Sequence, residues 1–282
     1  MNKTSNSKYQ EHKNAVLKLQ REGKLKDLRF QSDYAEVMKH SWLLDDYIAR
    51  FGWNDEEVYE NTLPAYEKAI KSGFPLLIPV QMLDDGTYIC FADQTLAKVA
   101  KVSGYVSKMK IDEIKEHTIN ETNCTIPTLD EVLKLVKGKV PVILDVYNES
   151  SVGKTEEKLL SIIEEYIEKY DLLDSVAIMS TNPYCLQWFY LNAPWIPRIL
   201  RSGAFKVKRY AGIRTCKLKK LKLCKICNPD YIAYNAKDLP CKYVKKHKPV
   251  GLLAYNVKSQ DEYKNIAKYC DNIIFDSFIP QI

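Results

Sequence analysis

The sequence predicts a closed α/β barrel of eight parallel strands, and three observations carry that expectation. From residue 40 onward, short apolar runs alternate with longer segments of helical spacing, the pattern of parallel strands joined by crossover helices. Eight such runs occur, at Tyr47–Arg50, Leu76–Gln81, Val140–Val146, Ser175–Ser180, Pro197–Arg201, Asp230–Asn235, Val250–Val257 and Asn272–Asp276, with an extra hairpin pair around Thr87–Phe91. The length, 282 residues, suits one barrel of ~250 residues with a short extension.

The segments between the runs carry helix signals. In "NTLPAYEKAIKSG", Asn61 or Thr62 is placed to cap, Pro64 falls in the first turn and Gly73 just past the end. In "TLDEVLKLVKG", Thr128 caps and Glu131 stands three residues later as in a capping box. Leu129, Val132, Leu133 and Val136 then form one apolar face, and Gly138 stops the helix. "GKTEEKLLSIIEEYIEKYDLL" and "SQDEYKNIAKYCD" are also amphipathic. The first 40 residues read as a charged helix on the outside of the barrel. With no internal repeat, low-complexity tract or Pro/Gly/Ser-rich linker, the expected division is an N-terminal helical extension over 1–40 and one barrel over 41–282.

Composition narrows the class. Hydrophobic residues make up 46% and charged residues 28%, with only 10 Gly and 12 Pro, which excludes disordered and collagen-like chains. No run of about 18 apolar residues exists to span a bilayer, and the opening "MNKTSNSKYQEHKNAVLKLQREGK" has no apolar segment of signal-peptide type, so a cytoplasmic protein is expected. In that compartment the eight cysteines are expected to be reduced. Cys224-x-x-Cys227 with Cys216 or Cys241 could offer thiolates to zinc, but there is no second Cys-x-x-Cys, and small buried thiols are the preferred reading.

Several motifs in a fixed order carry a resemblance. "ENTLPAYEKAIKSG", a strand ending Val80–Gln81, "DDGTYICFADQTL" and "IPTLDEVLKLVKGKVPVILDV" are followed by "STNPYCLQWF", "APWIPR", "PDYIAYNAKDLP" and "GLLAYNVKSQDEYKNIAKYCDNIIFDSFIP". Over roughly residues 45 to 282 this resembles the glycerophosphodiester phosphodiesterase family. The resemblance implies a TIM-type (β/α)8 barrel with a hairpin-containing insertion after strand 2. It also implies hydrolysis of glycerophosphodiesters with one Ca²⁺ or Mg²⁺ held by carboxylates, and two histidines acting as acid and base.

Placed on that pattern, the family's His-Arg-Gly falls on Ala49, Arg50 and Phe51, and its Glu-x-Asp on Leu77 and Pro79. Its His-Asp falls on Ala92 and Asp93, a later basic residue on Lys98, and its Glu-x-Lys on Asp145 and Tyr147. The catalytic positions then hold Ala49 and Ala92, and the metal positions hold Leu77, Pro79 and Asp145. The histidines, His12, His40, His117 and His247, stand away from the expected strand ends. A residual pocket of Arg50, Asp93, Asp145, Tyr147, Tyr255 and Asp276 is expected at the carboxyl ends of the strands, with Arg50 either pairing with Asp145 or binding an anion. Pro79 is expected to remove a backbone donor from the sheet.

The formal net charge is +6, and no Asp or Glu occurs from Ser175 to Pro229. "RILRSGAFKVKRYAGIRTCKLKKLKLCK", residues 198–225, mixes cations with apolar side chains, which suits a solvated loop or an anionic membrane surface; no nucleic-acid motif is present. The expected function is a catalytically degenerate family member without a cofactor, a binding or regulatory module for a phosphodiester or phospholipid headgroup. Two alternatives stay open. One is an altered hydrolase with Asp93, Asp145 and Asp276 on a metal and Lys98 as acid. The other is an interaction protein peripheral to an anionic membrane.

Overall fold

The computed structural model describes residues 5–23, 42–55, 58–120, 122–147, 152–170, 172, 174–205, 213–247 and 251–281. Each apolar run holds one strand of a closed barrel: β1 Ile48–Arg50, β2 Leu76–Met82, β4 Val142–Val146, β5 Val176–Ser180, β6 Arg198–Ser202, β7 Tyr231–Asn235, β8 Gly251–Val257 and β9 Asn272–Phe275. Neighbouring strands are parallel throughout, and β1 pairs with both β9 and β2, which closes the ring. The short β3, Tyr88–Ile89, runs antiparallel to the end of β2 outside the ring. Val250, expected in β8, lies outside the described residues.

A barrel strand faces packed side chains on one side and helices on the other, so it is apolar on both faces and reads as a continuous run. Alternate residues still divide. Ile48, Leu77, Ile143, Ile199, Leu253 and Ile274 fill the interior, while Ala49, Leu76, Ile78, Leu144, Leu200 and Ala254 pack in the outer shell under the helices. The interior is plugged at its amino end by helix α2 (Trp42–Asp45), whose Trp42 and Leu43 join the inner cluster. Trp42 Nε1 donates to the Asp174 carbonyl at 2.7 Å, and Asn272 Nδ2 donates to the Leu43 and Asp46 carbonyls at 2.9 and 2.7 Å.

The helix signals act as expected. In α3 (Leu63–Lys71) the Thr62 side chain accepts from the Ala65 amide, with Pro64 in the first turn and Gly73 beyond the end at φ +76. Further helices are α4 (Ile111–Lys115), α5 (Leu129–Val136), α6 (Lys154–Tyr170), α7 (Pro183–Asn192), α8 (Ile213–Lys219), α9 (Cys224–Cys227), α10 (Lys242–His247) and α11 (Gln260–Ile266). Thr128 and Glu131 form the capping box of α5. Of the N-terminal extension, α1 (Ser5–Arg21) lies outside the barrel. Lys13 pairs with Glu164 on α6, and Gln20 Nε2 donates to the Tyr190 and Leu191 carbonyls of α7 at 3.3 and 3.0 Å. Residues 24–41 lie outside the described residues. The insertion between β2 and α5 has its own small core, including Leu83, Phe91, Leu96, Val106, Ile114 and Ile126.

Pro79 costs the sheet nothing. Leu76 donates toward β4, at the Pro141 carbonyl, and Leu77 accepts from Phe51 on the β1 side, so the nitrogen of residue 79 also points to the β1 side. The ladder's next acceptor there would be the Phe51 carbonyl. That carbonyl is taken instead by the Asn61 amide at 2.9 Å, since the chain turns away from the sheet at Phe51 (φ +57) and Gly52 (φ +85). A Cβ on Gly52 would lie 2.6 Å from the Ala65 backbone, so only glycine fits that turn.

Arg198, at the amino end of β6, is wholly buried. Its Nη2 lies 2.6 Å from Asp230 Oδ2 and its Nη1 donates to the Pro194 and Ile196 carbonyls at 3.2 and 2.9 Å. Asp230→Ala removes the carboxylate that lies against that buried guanidinium, and urea unfolding is expected to show a loss of about 3–5 kcal/mol. Glu67→Ala, which breaks the solvated Glu67–Lys71 pair, is expected to cost less than about 0.5 kcal/mol.

Candidate functional site

The inward register that runs through Ile48, Leu77, Ile143, Ile199, Leu253 and Ile274 continues two residues later to Arg50, Pro79, Asp145, Arg201, Tyr255 and Asp276. These side chains meet at the carboxyl ends of the strands, where barrels of this type carry their sites. They sort into two clusters of charge.

In the first, Arg201 Nη1 lies 2.8 Å from Asp145 Oδ2 and also donates to the Tyr147 hydroxyl, with its guanidinium 4.5 Å from the Tyr147 ring centre. Asp145 is fully buried. Burial raises its pKa, against the opposing pull of Arg201 and the Tyr147 hydroxyl. Burial works against the charge on Arg201, but Asp145, Tyr147 and Tyr255 together outweigh it and raise its pKa. Tyr147 is raised by burial, and Tyr255 is pushed up to about 12 by the same cause, so both are neutral phenols at ordinary pH.

In the second cluster, Arg50 Nη1 donates to Glu60 Oε2 at 2.5 Å and to Asp276 Oδ2 at 3.4 Å. Lys258, just past β8, lies 3.2 Å from the same Asp276 oxygen. The expected Arg50–Asp145 pair is not formed, because Arg201 reaches Asp145 from β6, one strand beyond β5. A cavity of about 250 Å³ opens beside Arg50, lined by Glu60, Asn61, Ala92, Asp93 and Lys98. Lys98 Nζ sits 3.2 Å from both oxygens of Asp93, an exposed pair.

The expected pocket residues Arg50, Asp145, Tyr147, Tyr255 and Asp276 are thus brought together, and Asp93 stands at the rim of the adjoining cavity. Glu60, Arg201 and Lys258 were not anticipated. Arg201 carried a readable signal: a charged residue in inward register at the end of an apolar strand. The assignment of Ala49 to a mouth position needs correction, because its side chain packs in the outer shell under the helices. The close approach at Gly52 identifies the glycine of the turn. Aligned on that glycine, the family's His-Arg-Gly covers Arg50, Phe51 and Gly52, and Arg50 is the side chain that faces the mouth.

A divalent cation, which the resemblance implies, does not fit these residues. A hard cation needs about six oxygens, yet Asp145, Glu60 and Asp276 are each engaged by a guanidinium or ammonium group. Among the described residues, no group of three or more His, Cys, Asp or Glu is close enough to hold a metal. The same is true of the Cys-x-x-Cys. Cys224 and Cys227 are buried against the outer core, and burial pushes both thiols up to about 12, so they are neutral packing groups. Of the basic stretch 198–225, Arg201 is turned into the barrel, Arg198 is buried on the outer side of its strand against Asp230 and the Tyr190 ring, and residues 206–212 lie outside the described residues. No helix among the described residues is long and apolar enough to cross a membrane.

Known proteins share this architecture. An Oleispira antarctica phosphodiesterase, solved in complex with the product sn-glycerol-3-phosphate, superposes with a TM-score of 0.66 at 18% identity, over 84% of this chain and 95% of that one. A glycerophosphodiester phosphodiesterase from Parabacteroides distasonis gives 0.64 at 16%, over 82% and 92%. At those identities the likeness is one of fold. By sequence, the chain is 29% identical over 154 residues to a glycerophosphodiester phosphodiesterase of Caldanaerobacter subterraneus, a match that covers 50% of this chain and 60% of that relative's length. The model of the glycerophosphoryl diester phosphodiesterase family matches residues 45–278, so with its closed barrel and its inward charges at the carboxyl ends of the strands, this chain belongs to that family.

Proposed function

We propose that this chain is a catalytically degenerate glycerophosphodiester phosphodiesterase-like protein, a binding or regulatory module whose barrel mouth takes a phosphodiester headgroup without hydrolysing it. The observation that carries this reading is the fixed cation inside the barrel: Arg201 held against Asp145, where a hydrolase of this kind would need free carboxylate oxygens. Cleaving a phosphodiester needs a base for the nucleophile's proton and an acid for the leaving alkoxide. Arginine does not titrate in the useful range, and the mouth's two tyrosines are held as neutral phenols by burial.

What the mouth does offer is a guanidinium in a half-enclosed space whose carboxylate partner can be exchanged. Arg50 faces the cavity on one side and Asp276 on the other, with Lys98 at the rim. A phosphate monoanion entering there would compete with Glu60 for the Arg50 guanidinium and take a fork of donors in return. The rearranged-hydrolase reading asks Asp93, Asp145 and Asp276 to converge on one metal, and each is paired with a different cation.

With Mg²⁺ or Ca²⁺ supplied, the purified protein is expected to leave glycerophosphocholine intact, since loss of each acid or base group costs ~10²–10⁴-fold. Turnover at enzymic rates that Arg50→Ala abolishes would overturn the reading. Calorimetry is expected to detect no saturable Ca²⁺ or Mg²⁺ site at micromolar concentrations, and stoichiometric binding would restore the hydrolase. Arg201→Ala, by stranding the buried Asp145, is expected to cost about 3–5 kcal/mol in urea unfolding. Adding Asp145→Asn in the same chain should recover part of that loss; a single-variant loss near zero would mean that Arg201 does not fix the charge of the mouth.

A further inference from the structure

We propose that the flank of the barrel formed by the end of α8, by α9 and by α10 is a docking surface for an anionic lipid membrane. Two segments far apart in sequence meet there. Lys220, Lys222 and Lys225 from one, and Lys242, Tyr243 and Lys246 from the other, line a groove of about 610 Å³. Lys222, Lys225, Lys242 and Lys246 are exposed, and Lys220 is half-buried.

These five lysines gather in one groove, and among the described residues that line it none is acidic. Lys13, Lys68, Lys98, Lys115 and Lys258 are each ion-paired. Among the described residues none of the five groove lysines is. The sequence explains why: from Ser175 to Gln260 the acidic residues are Asp230 and Asp238 alone. Asp230 is buried against Arg198, and Asp238 accepts from the Ala204 amide at 2.7 Å. The flank therefore presents a patch of one sign that nothing in the described fold neutralises.

The chemistry of the patch favours a lipid surface over the other polyanions. Among the described residues its cations are all lysine, point charges on flexible stems, with no arginine fork to clamp a single phosphate. Sequence-tolerant binding of single-stranded nucleic acid relies on several aromatic faces for stacking, and among the described residues this groove holds one, Tyr243. A discrete anion pocket needs buried donors, whereas these ammonium groups ring an open groove. A diffuse negative sheet of headgroups satisfies all five at once, and their aliphatic stems cover the apolar walls between them.

Sedimentation with vesicles tests this. The protein is expected to bind vesicles of phosphatidylcholine containing about a third phosphatidylserine, to ignore pure phosphatidylcholine, and to release as salt rises, because the attraction fades within a Debye length of ~8 Å at physiological salt. Each lysine near such a surface is worth about fivefold in affinity. K220Q/K222Q/K225Q should therefore weaken binding about a hundredfold and K242Q/K246Q about thirtyfold, both with an unchanged melting temperature. The control K108Q/K139Q/K264Q removes the same number of exposed lysines from elsewhere and should change binding little. Equal binding to neutral vesicles, an equal loss in the control, or displacement by soluble glycerophosphoserine would overturn the proposal. Groove-dependent binding to single-stranded RNA with none to the acidic vesicles would overturn it too.

Discussion

The guanidinium of Arg201, drawn against a carboxylate that water does not reach, sets the character of the barrel mouth. An isolated charge in a barrel interior is strongly disfavoured, so each member of the Asp145–Arg201 pair requires the other, and Tyr147 and Tyr255 are arranged around them. With Asp145 taken by Arg201, Arg50 on β1, with β2 between it and Asp145, turns to Glu60 and Asp276. The charges at the carboxyl end of the barrel thereby neutralise one another internally, and the partly open cavity beside Arg50 is what remains for a ligand.

The scaffold beneath this mouth is built from ordinary barrel parts. Inward residues of alternate strands interdigitate, an amino-end helix plugs the base, and capped helices cover the outside. A departure from regularity falls at the β1–β2 seam, where Pro79 lacks a donor, Gly52 lets the chain pass close to Ala65, and Asn61 supplies the missing partner for Phe51. These local compromises fit together. The proline is tolerated because the turn has already carried β1 away from it.

The fold was legible because barrel strands announce themselves as apolar runs and the helices carry their own start and stop residues. Thr62, Thr128 and Gly73 act where their chemistry placed them. The site was legible only in part. Residues already aligned with a strand end, such as Asp145, Tyr147 and Asp276, could be assigned to the mouth from the two-residue period. Glu60 and Lys258 sit on loops, whose direction no period fixes. The placement of β1 slipped by one residue because Gly52, not Phe51, is the glycine of the turn, and a slip of one reverses which side chain faces inward. Arg201 was hidden for another reason: counted within a basic stretch, it reads as surface charge, although its strand register says otherwise.

The seam between β1 and β2 bears on how the molecule moves. β1 spans three residues and registers with β2 only through Ala49 and Arg50, whereas the β2–β4 and β7–β8 walls run in register over five residues each. β1 registers with β9 over two residues as well, so it is the strand of the ring held by the fewest ladder bonds and the place where transient opening costs least. Arg50 ends the short strand, so such a fluctuation would shift its guanidinium relative to Glu60 and Asp276, while Asp145 and Arg201, on strands held in register over three or more residues on each side, keep their places. The mouth thus has one compliant side and one rigid side, and the compliant side borders the cavity.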